Sequence, residues 1–357
     1  MIARRTLYST PGGDTIQIKS TAQYLRNLGV KVDINIEDKN IDYSNYDLIH
    51  FFNIIRPDDI LPHIKKSQLP YVVSTIFVDY SEYEKIRGGK LGLLTKLLSC
   101  DKIEYLKTIA RAIKNGDKIN SSYYLFNGHR KALKFVASKA SLLLPNSDSE
   151  YNRFVKAYGI NVPYVKIPNA VSTSIFNSEV KADKRYENHV LCVGRIEGLK
   201  NQLNLIKALQ GTDFFLTLVG KPAPNHIAYY NECVKLINEN KNMQLIDHVS
   251  HEELASIYKA AKVHVLPSWF ETTGLSSLEA AIMDCNVVIS PKGDTREYFK
   301  DFAFYCEPDD IQSIKIAIKN AFDTPVNESL KKMILNEYVW EKTADETLKA
   351  YNLVLNK

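Results

Sequence analysis

The sequence predicts two doubly wound α/β domains, and three observations carry that prediction. At 357 residues the chain exceeds one typical domain, and 45% apolar with 24% charged residues is ordinary globular composition. Short apolar runs rich in β-branched residues alternate with amphipathic stretches, as buried parallel strands alternate with covering helices. The alternation runs twice along the chain, so the scheme is used twice.

In the first half, "ARRTLYST" reads as a strand, followed by a Gly-Gly loop and the helix-like "IQIKSTAQYLRNLG" ending at Gly29. The strand-like runs "VKVDINI", "YDLIHFF", "PYVVSTIFV" and "ASLLLPNS" follow, the last after a long helical insertion. The second half offers "HVLCVGR", "FFLTLVG", "KNMQLID", "KVHVLPS", "NVVIS" and "FAFYC". Between them lie "NQLNLIKALQG" and "HEELASIYKAA", the latter preceded by Ser250, which with Glu253 reads as a capping box. The boundaries read as 1–175 for the first domain, with a helical basic insertion over about 80–135, and 176–340 for the second. Residues 341–357 read as a helix packing back on the first domain through Leu348, Tyr351, Leu353 and Leu355. The linker falls in the charged segment from about Ser178 to Asn188.

No apolar run reaches membrane-spanning length, and the two N-terminal arginines precede no apolar core of a signal peptide, which points to the cytoplasm. Five widely spaced cysteines without a Cys-x-x-Cys pair argue against a disulfide framework and a structural zinc site. Cys192 and Cys306 read as buried small hydrophobes. The histidines show no metal-ligand spacing. The net charge is +5, but Glu84 to Lys139 holds 13 Lys/Arg against four Asp/Glu. Such a patch suits an anionic partner as well as it suits a solvated helical face. No nucleic-acid-binding signature accompanies it.

Three stretches hold the candidate chemistry. "TPGGDTIQ" lies where the first strand hands over to the first helix, so Gly12 and Gly13 let a ligand approach the helix N-terminus. "VGRIEGLKNQ" puts Arg195 and Lys200 past the first strand of the second domain, at the sheet edge where open α/β folds bind ligands. An Arg and a Lys converging there suit a diphosphate, although exposed loop cations would read the same. "SWFETTGLSSLEA" follows the strand "KVHVLPS" and carries Glu271 and Glu279 eight residues apart. Between them Thr273, Gly274 and Leu275 turn into a helix whose first amides lack intrahelical partners and suit phosphate oxygens. Glu279 suits two vicinal hydroxyls, as on a ribose.

These residues resemble a known family. "ETTGLSSLE" is similar to the E-x7-E signature of retaining GT-B-fold glycosyltransferases of family GT4, and "VGRIEGLK" to that family's G-R-x-x-x-x-K phosphate element. "LTLVG", "HEELASIYKAAKVHVLPS" and "SLLLPNSDSEYNRFVKAYGINVPYVKIPNAVSTSIF" resemble the surrounding stretches, and "PGGDTIQ" sits where the family keeps its Gly-rich acceptor-side loop. The resemblance covers most of residues 1–340 and is weakest from about Tyr80 to Asn127. It implies a GT-B architecture, two Rossmann-like domains facing across a crevice. It also implies retaining, metal-independent sugar transfer from a nucleotide-sugar donor, with no cofactor. Glu271 would face the donor sugar, Glu279 would hold the ribose, and Arg195 and Lys200 would neutralise the departing diphosphate. The amides of Thr273, Gly274 and Leu275 would assist, and Gly12 and Gly13 would approach the donor from the facing domain.

The sequence departs from the pattern where relatives carry a histidine: here "STIFVDY" leaves Asp79 or a neighbour in its place. The glycine of a usual "xGxPVV" is Cys285, a packing change, and "LIDHVS" lacks a common glycine. Asp14 and Asp79 would complete the acceptor side, and "NGHRKALKF" would place His129 and Arg130 there against a phosphorylated acceptor, or else begin a surface helix. The insertion places Leu94, Leu97, Leu98, Ile103, Leu106, Ile109 and Ile113 at helical spacing among lysines. Such a segment suits an anionic membrane surface that delivers a lipid-linked acceptor, or helices covering the sheet. A UDP-sugar is the first expectation for the donor and GDP-mannose the second, with a glycan or lipid-linked acceptor. The abundance of Lys, Asn and Ile resembles a low-GC bacterium, which suggests assembly of surface polysaccharide such as O-antigen or capsule. The competing readings are a GT-B-fold sugar-nucleotide epimerase, a phosphorylase, and a non-catalytic nucleotide-binding module.

Overall fold

The apolar β-branched runs form two all-parallel sheets in a computed structural model that describes all residues except 37–39, 81, 84–97, 116–118, 327 and 357. The expected helical positions Leu94 and Leu97 lie outside the described residues. Two compact units result, residues 1–169 with 340–357, and residues 170–339.

The first unit contains β1 (Ile2–Ala3), α1 (Gly13–Asn27), β2 (Asn35–Ile36), β3 (Ile49–Phe52), α2 (Pro57–Ser67) and β4 (Tyr71–Ser74). It continues with α3 (Cys100–Asn115), α4 (Ser122–Lys139), β5 (Leu142–Leu143) and α5 (Asp148–Tyr158). Its strand order is β2-β1-β3-β4-β5. The run from Val30 to Ile36 was expected to be a full strand, but only its last two residues pair, against Ile2 and Ala3. Asp33, just before the pairing begins, accepts a hydrogen bond from Tyr46 Oη at 2.8 Å.

The second unit contains β6 (Val190–Val193), α6 (Gln202–Leu209), β7 (Leu216–Val219), α7 (Ile227–Asn238), β8 (Met243–Ile246) and α8 (His251–Ala260). Then come β9 (Val263–Leu266), α9 (Leu275–Ile282), β10 (Asn286–Ile289), α10 (Thr295–Phe299), β11 (Phe304–Tyr305), α11 (Ile311–Asp323) and α12 (Glu328–Glu337). The order β11-β10-β9-β6-β7-β8 is that of a Rossmann sheet, with its topological switch point between β6 and β9.

Period-2 alternation explains why these strands are apolar throughout. Leu191, Leu266, Val287 and Ile289 enter the core on one face, while Val190, Cys192, Val263, Val265 and Val288 enter the core on the other. Each such side chain contributes about 1.5–3 kcal/mol by leaving water. Val171, Phe176 and Tyr186 are buried in the first of these cores, so the segment from Ser178 to Asn188 lies within the second unit, and the chain enters that unit at Ala170.

Helix ends follow local chemistry. Ser250 Oγ accepts from the Glu253 amide at 3.1 Å, and Ser147 Oγ from the Glu150 amide at 2.9 Å. The last helix, α13 (Trp340–Leu355), lies on α1 in the first unit. Ala344, Ala350 and Tyr351 pack with Leu25, Val72 and Leu144, and His50 links Tyr351 Oη (2.7 Å) to Ser74 Oγ (2.8 Å). Leu348 packs at the margin of this cluster, but Leu353 is 66% exposed, because 3.6 residues per turn carry it away from Tyr351. Leu106 and Ile113 of α3 also face solvent rather than the sheet, at 51% and 80% exposure.

Candidate functional site

The two loops that leave the switch point of the second sheet bring the predicted residues together. After β6 the chain runs through Gly194, Arg195 and a short 3₁₀ turn (Gly198–Lys200), and after β9 it runs through Ser268 to Gly274. Lys200 Nζ meets Glu271 Oε1 at 2.6 Å, both side chains largely buried. A lysine and a glutamate 71 residues apart are thus one unit, and that pairing was absent from the sequence reading.

Backbone fits hold this pair. Asn201, in left-handed conformation at φ +60°, donates from Nδ2 to the carbonyls of Pro267 (3.0 Å) and Pro308 (2.6 Å). The Trp269 amide donates to Leu199 O at 2.9 Å, closing the two loops on each other. Behind Glu271, Gly293 at φ +82° lies flush on its backbone: a Cβ there would sit 2.1 Å from Glu271 O. The Asp294 amide donates to that same carbonyl at 2.8 Å.

Arg195 stands apart from the ion pair. Its guanidinium reaches Glu197 Oε1 at 3.3 Å and remains about half exposed, while Gln202 Nε2 holds its carbonyl at 2.8 Å. The lysine is therefore closely held by a largely buried carboxylate, whereas the arginine has a longer ion pair and stays half exposed.

Gly274 caps α9 in left-handed conformation at φ +76°, and no side chain caps that helix end. The amides of Gly274, Leu275 and Ser276 lie at the positive end of the helix dipole, whereas those of Ser277 and Leu278 both donate to Gly274 O, at 2.9 and 3.1 Å. Thr273 is buried before the turn. Within the helix, Ser277 Oγ meets His264 Nδ1 at 3.2 Å. His264 is fully buried in β9, and burial, aided by the Lys200 charge, pushes its pKa down to about 3, so the ring is neutral. Its Nε2 has no hydrogen-bond partner.

Glu279 is half-buried one turn further on and accepts a hydrogen bond from Tyr258 Oη at 3.3 Å. Burial pushes its carboxyl up to about 8. A carboxyl so raised is mostly protonated near neutral pH and carries a donor as well as an acceptor.

In the first unit, Gly12 caps α1 and its amide donates to Thr15 Oγ1 at 3.1 Å, with Gly13 opening the helix. Asp14 is held by Arg4 through Nε (2.6 Å) and Nη2 (3.0 Å), and Arg4 also reaches Thr10 O at 2.9 Å. Asp14 is thereby a clamp on the Gly-rich loop. At the same sheet edge, Asn53 and Ile76 adopt φ of +72° and +45°, conformations disfavoured for side-chain-bearing residues and for isoleucine most of all. The buried Glu150 fastens the backbone on both sides of Ile76: it accepts from the Phe77 amide (2.7 Å), the Asn146 amide (2.8 Å) and the Thr75 hydroxyl. Asp79, His129 and Arg130 line one cavity of this unit. Among the described residues no group of three or more His, Cys, Asp or Glu is placed to hold a metal ion.

Asn201, Gly293, His264, Arg4 and Glu150 went unassigned in the sequence. Gly293 in "PKGDT" carries a turn signal, but its partner lies 22 residues away. Glu150 in "SDSE" reads as a helix-capping residue, and its burial is a tertiary property.

Residues 174–340 match the family described as glycosyl transferases group 1. A D-inositol 3-phosphate glycosyltransferase of Pseudarthrobacter chlorophenolicus is 23% identical over 321 residues, 79% of this chain and 74% of that protein. An O-antigen chain mannosyltransferase of Salmonella typhimurium is 25% identical over 201 residues, 55% of each chain. Among solved structures, sucrose-phosphate synthase from Thermosynechococcus elongatus aligns with a TM-score of 0.74 at 16% identity, covering 97% of this chain and 94% of that one. Anabaena HepE in complex with UDP-glucose aligns with a TM-score of 0.73 at 14% identity, covering 99% and 98%.

Proposed function

We propose that this chain, whose residues 174–340 match the glycosyl transferases group 1 family, moves a sugar from a nucleotide-diphosphate sugar to a glycan or lipid-linked acceptor with retention of configuration. The observation that carries the proposal is the Lys200–Glu271 pair at the switch point, beside the uncapped start of α9. A diphosphate arriving there draws on the Lys200 ammonium, the Arg195 fork and the α9 amides, which frees the Glu271 carboxylate to meet sugar hydroxyls. The bond between the anomeric carbon and the phosphate oxygen breaks while the acceptor oxygen bonds to that carbon. The acceptor proton passes to the leaving phosphate. Negative charge grows on that phosphate in the transition state, where fixed donors and cations act most strongly. Side-chain cations and helix amides carry the charge stabilisation in this reading, with no metal ion. Glu279 takes the ribose hydroxyls.

A UDP-sugar is the favoured donor, on the support of the structural neighbour solved with UDP-glucose. GDP-mannose is second, and bacterial surface polysaccharide is the proposed setting. The proposal also takes an anionic membrane surface as a partner. Leu106, Ile113 and Phe126 expose apolar surface on α3 and α4, and exposed Lys102 lies one turn before Leu106 on α3. No described helix is long and apolar enough to cross a membrane.

The test is nucleotide release from a panel of sugar donors, with and without acceptor, beside Glu271→Ala. Donor-selective release that the substitution abolishes is expected. Near-normal sugar transfer by Glu271→Ala sinks the assignment. Co-sedimentation with anionic vesicles at low salt tests the membrane partner.

A further inference from the structure

We propose that His264 is a positioning residue of the donor site: through Ser277 it fixes the first turn of α9, and so aims the amides that meet the diphosphate. The inference rests on the glycosyltransferase reading and adds to it a residue that acts through another.

β9 lies between β10 and β6, and its residues are Val263, His264, Val265 and Leu266. A strand buried on both faces calls for apolar residues throughout, and His264 departs from that rule. It stands opposite Val287 and Leu191 of the neighbouring strands and is wholly buried. Its Nε2 has no hydrogen-bond partner among the described residues. A buried polar atom left unpaired is destabilising, and an apolar side chain at this position would avoid the cost. What the imidazole supplies instead is one contact, between Nδ1 and Ser277 Oγ at 3.2 Å.

Ser277 is well placed to hold the helix. It is wholly buried in the first turn, immediately after the amides of Gly274, Leu275 and Ser276 at the positive end of the dipole. The other buried residues of α9, Leu278, Ala280, Ala281 and Ile282, pack into an apolar core. Apolar contact has no direction, so it holds a helix against a sheet without fixing its rotation. A hydrogen bond is directional, and the one at Ser277 selects a single rotation for the three amides. A second tether agrees with the first. The Tyr258 ring meets the His264 ring edge-on, with centroids 5.8 Å apart, and the Tyr258 hydroxyl donates to Glu279 at 3.3 Å. Two contacting rings thus hold α9 at residues 277 and 279. The Lys200 charge helps to keep the imidazole neutral, which puts the ring close to the ion pair as well as to the helix.

The test is calorimetric titration with UDP and GDP, and NMR titration with the corresponding nucleosides. The proteins are the parent, His264→Phe, His264→Asn, Ser277→Ala and the double variant of His264→Phe with Ser277→Ala. Phenylalanine keeps a ring and removes the hydrogen bond, whereas asparagine keeps a polar atom where Nδ1 stands. For the diphosphate that the parent binds more tightly, His264→Phe and Ser277→Ala are each expected to weaken binding about three- to tenfold, with nucleoside binding unchanged. His264→Asn is expected to stay within about twofold of the parent. The double variant is expected to bind no worse than the weaker single variant, because both remove one contact. Where His264→Phe fails to fold, Ser277→Ala reads the same contact. Unchanged diphosphate binding in the single variants, equal losses for nucleoside and diphosphate, no recovery in His264→Asn, or additive losses in the double variant overturns the proposal. Sugar transfer is measured on the same proteins. The expected binding losses without any sugar transfer by the parent break the glycosyltransferase reading and leave the positioning role standing. Sugar transfer by the parent with variants that bind as it does breaks the positioning role alone, and a parent that binds neither diphosphate overturns both.

Discussion

The C-terminal edges of the two sheets solve one problem by opposite means. In the second unit, backbone fits backbone: Gly293 lies on Glu271, and Gly220, at φ +154°, lies so close to Gly194 that a Cβ would sit 1.9 Å from its carbonyl oxygen. The charged side chains there pair with one another. In the first unit, side chains fasten strained backbone: Glu150 holds the loop containing Ile76, and Arg4 holds the Gly12–Gly13 loop through Asp14 and Thr10. An edge built on glycine contacts leaves its carboxylate to a lysine, whereas an edge built on a buried carboxylate has used it for shape.

That contrast can be broken from either side. The largest expected effect is on turnover in the second unit. Glu271→Gln keeps the shape but leaves the largely buried Lys200 ammonium without its counter-ion, and should lower sugar transfer about 10²–10³-fold while the variant still unfolds cooperatively. Near-normal transfer by a folded variant would show the pair to be structural. Next, Glu150→Gln in the first unit should cost about 2–4 kcal/mol in denaturant unfolding, since a buried carboxylate serving three donors loses its charge and part of its acceptor capacity. Comparable in size, Gly293→Ala should destabilise by about 2–4 kcal/mol through the forced clash with Glu271 O, read by the same unfolding curve.

A smaller effect separates the two glutamates of the second unit. Glu279 titrates near 8 in the folded protein against an ordinary 4.5, so the folded state holds the proton more tightly than the unfolded chain. Its stabilising contribution is full below pH 4.5 and is lost as pH rises through about 8. Melting temperature measured across that window should decline less steeply in Glu279→Gln than in the parent protein. Smallest of all, Ile76→Gly should relieve the positive φ and change stability by about 1 kcal/mol, upward where strain dominates the added chain entropy. A clear loss would show that Ile76 packs more favourably than its backbone suggests.

Much of this architecture was legible in the order of residues. Strands buried on both faces must be apolar throughout, so β3, β4, β7, β9 and β10 announce themselves, and Gly274 before "LSSLEA" announces a helix start that follows a strand. Edge strands announce themselves poorly, which is why the run ending in β2 was read too long. The apolar spacing of α3 was legible, yet which of its residues face water was not, because an amphipathic pattern does not say how many faces are covered.

By itself the sequence determined the alternation of strand and helix, the placing of Arg195, Lys200, Glu271 and Glu279 at one sheet edge, and the turn that opens α9. Those follow from local periodicity and from the rule that open parallel sheets present their loops at the carboxyl ends of the strands. Only the tertiary structure decided that Lys200 belongs to Glu271 while Arg195 does not. It alone decided that Glu279 is protonated near neutrality and that Glu150 is a buried fastening. Each depends on burial and on partners far away in the chain, and desolvation acts on a carboxylate according to where it is rather than which residues flank it.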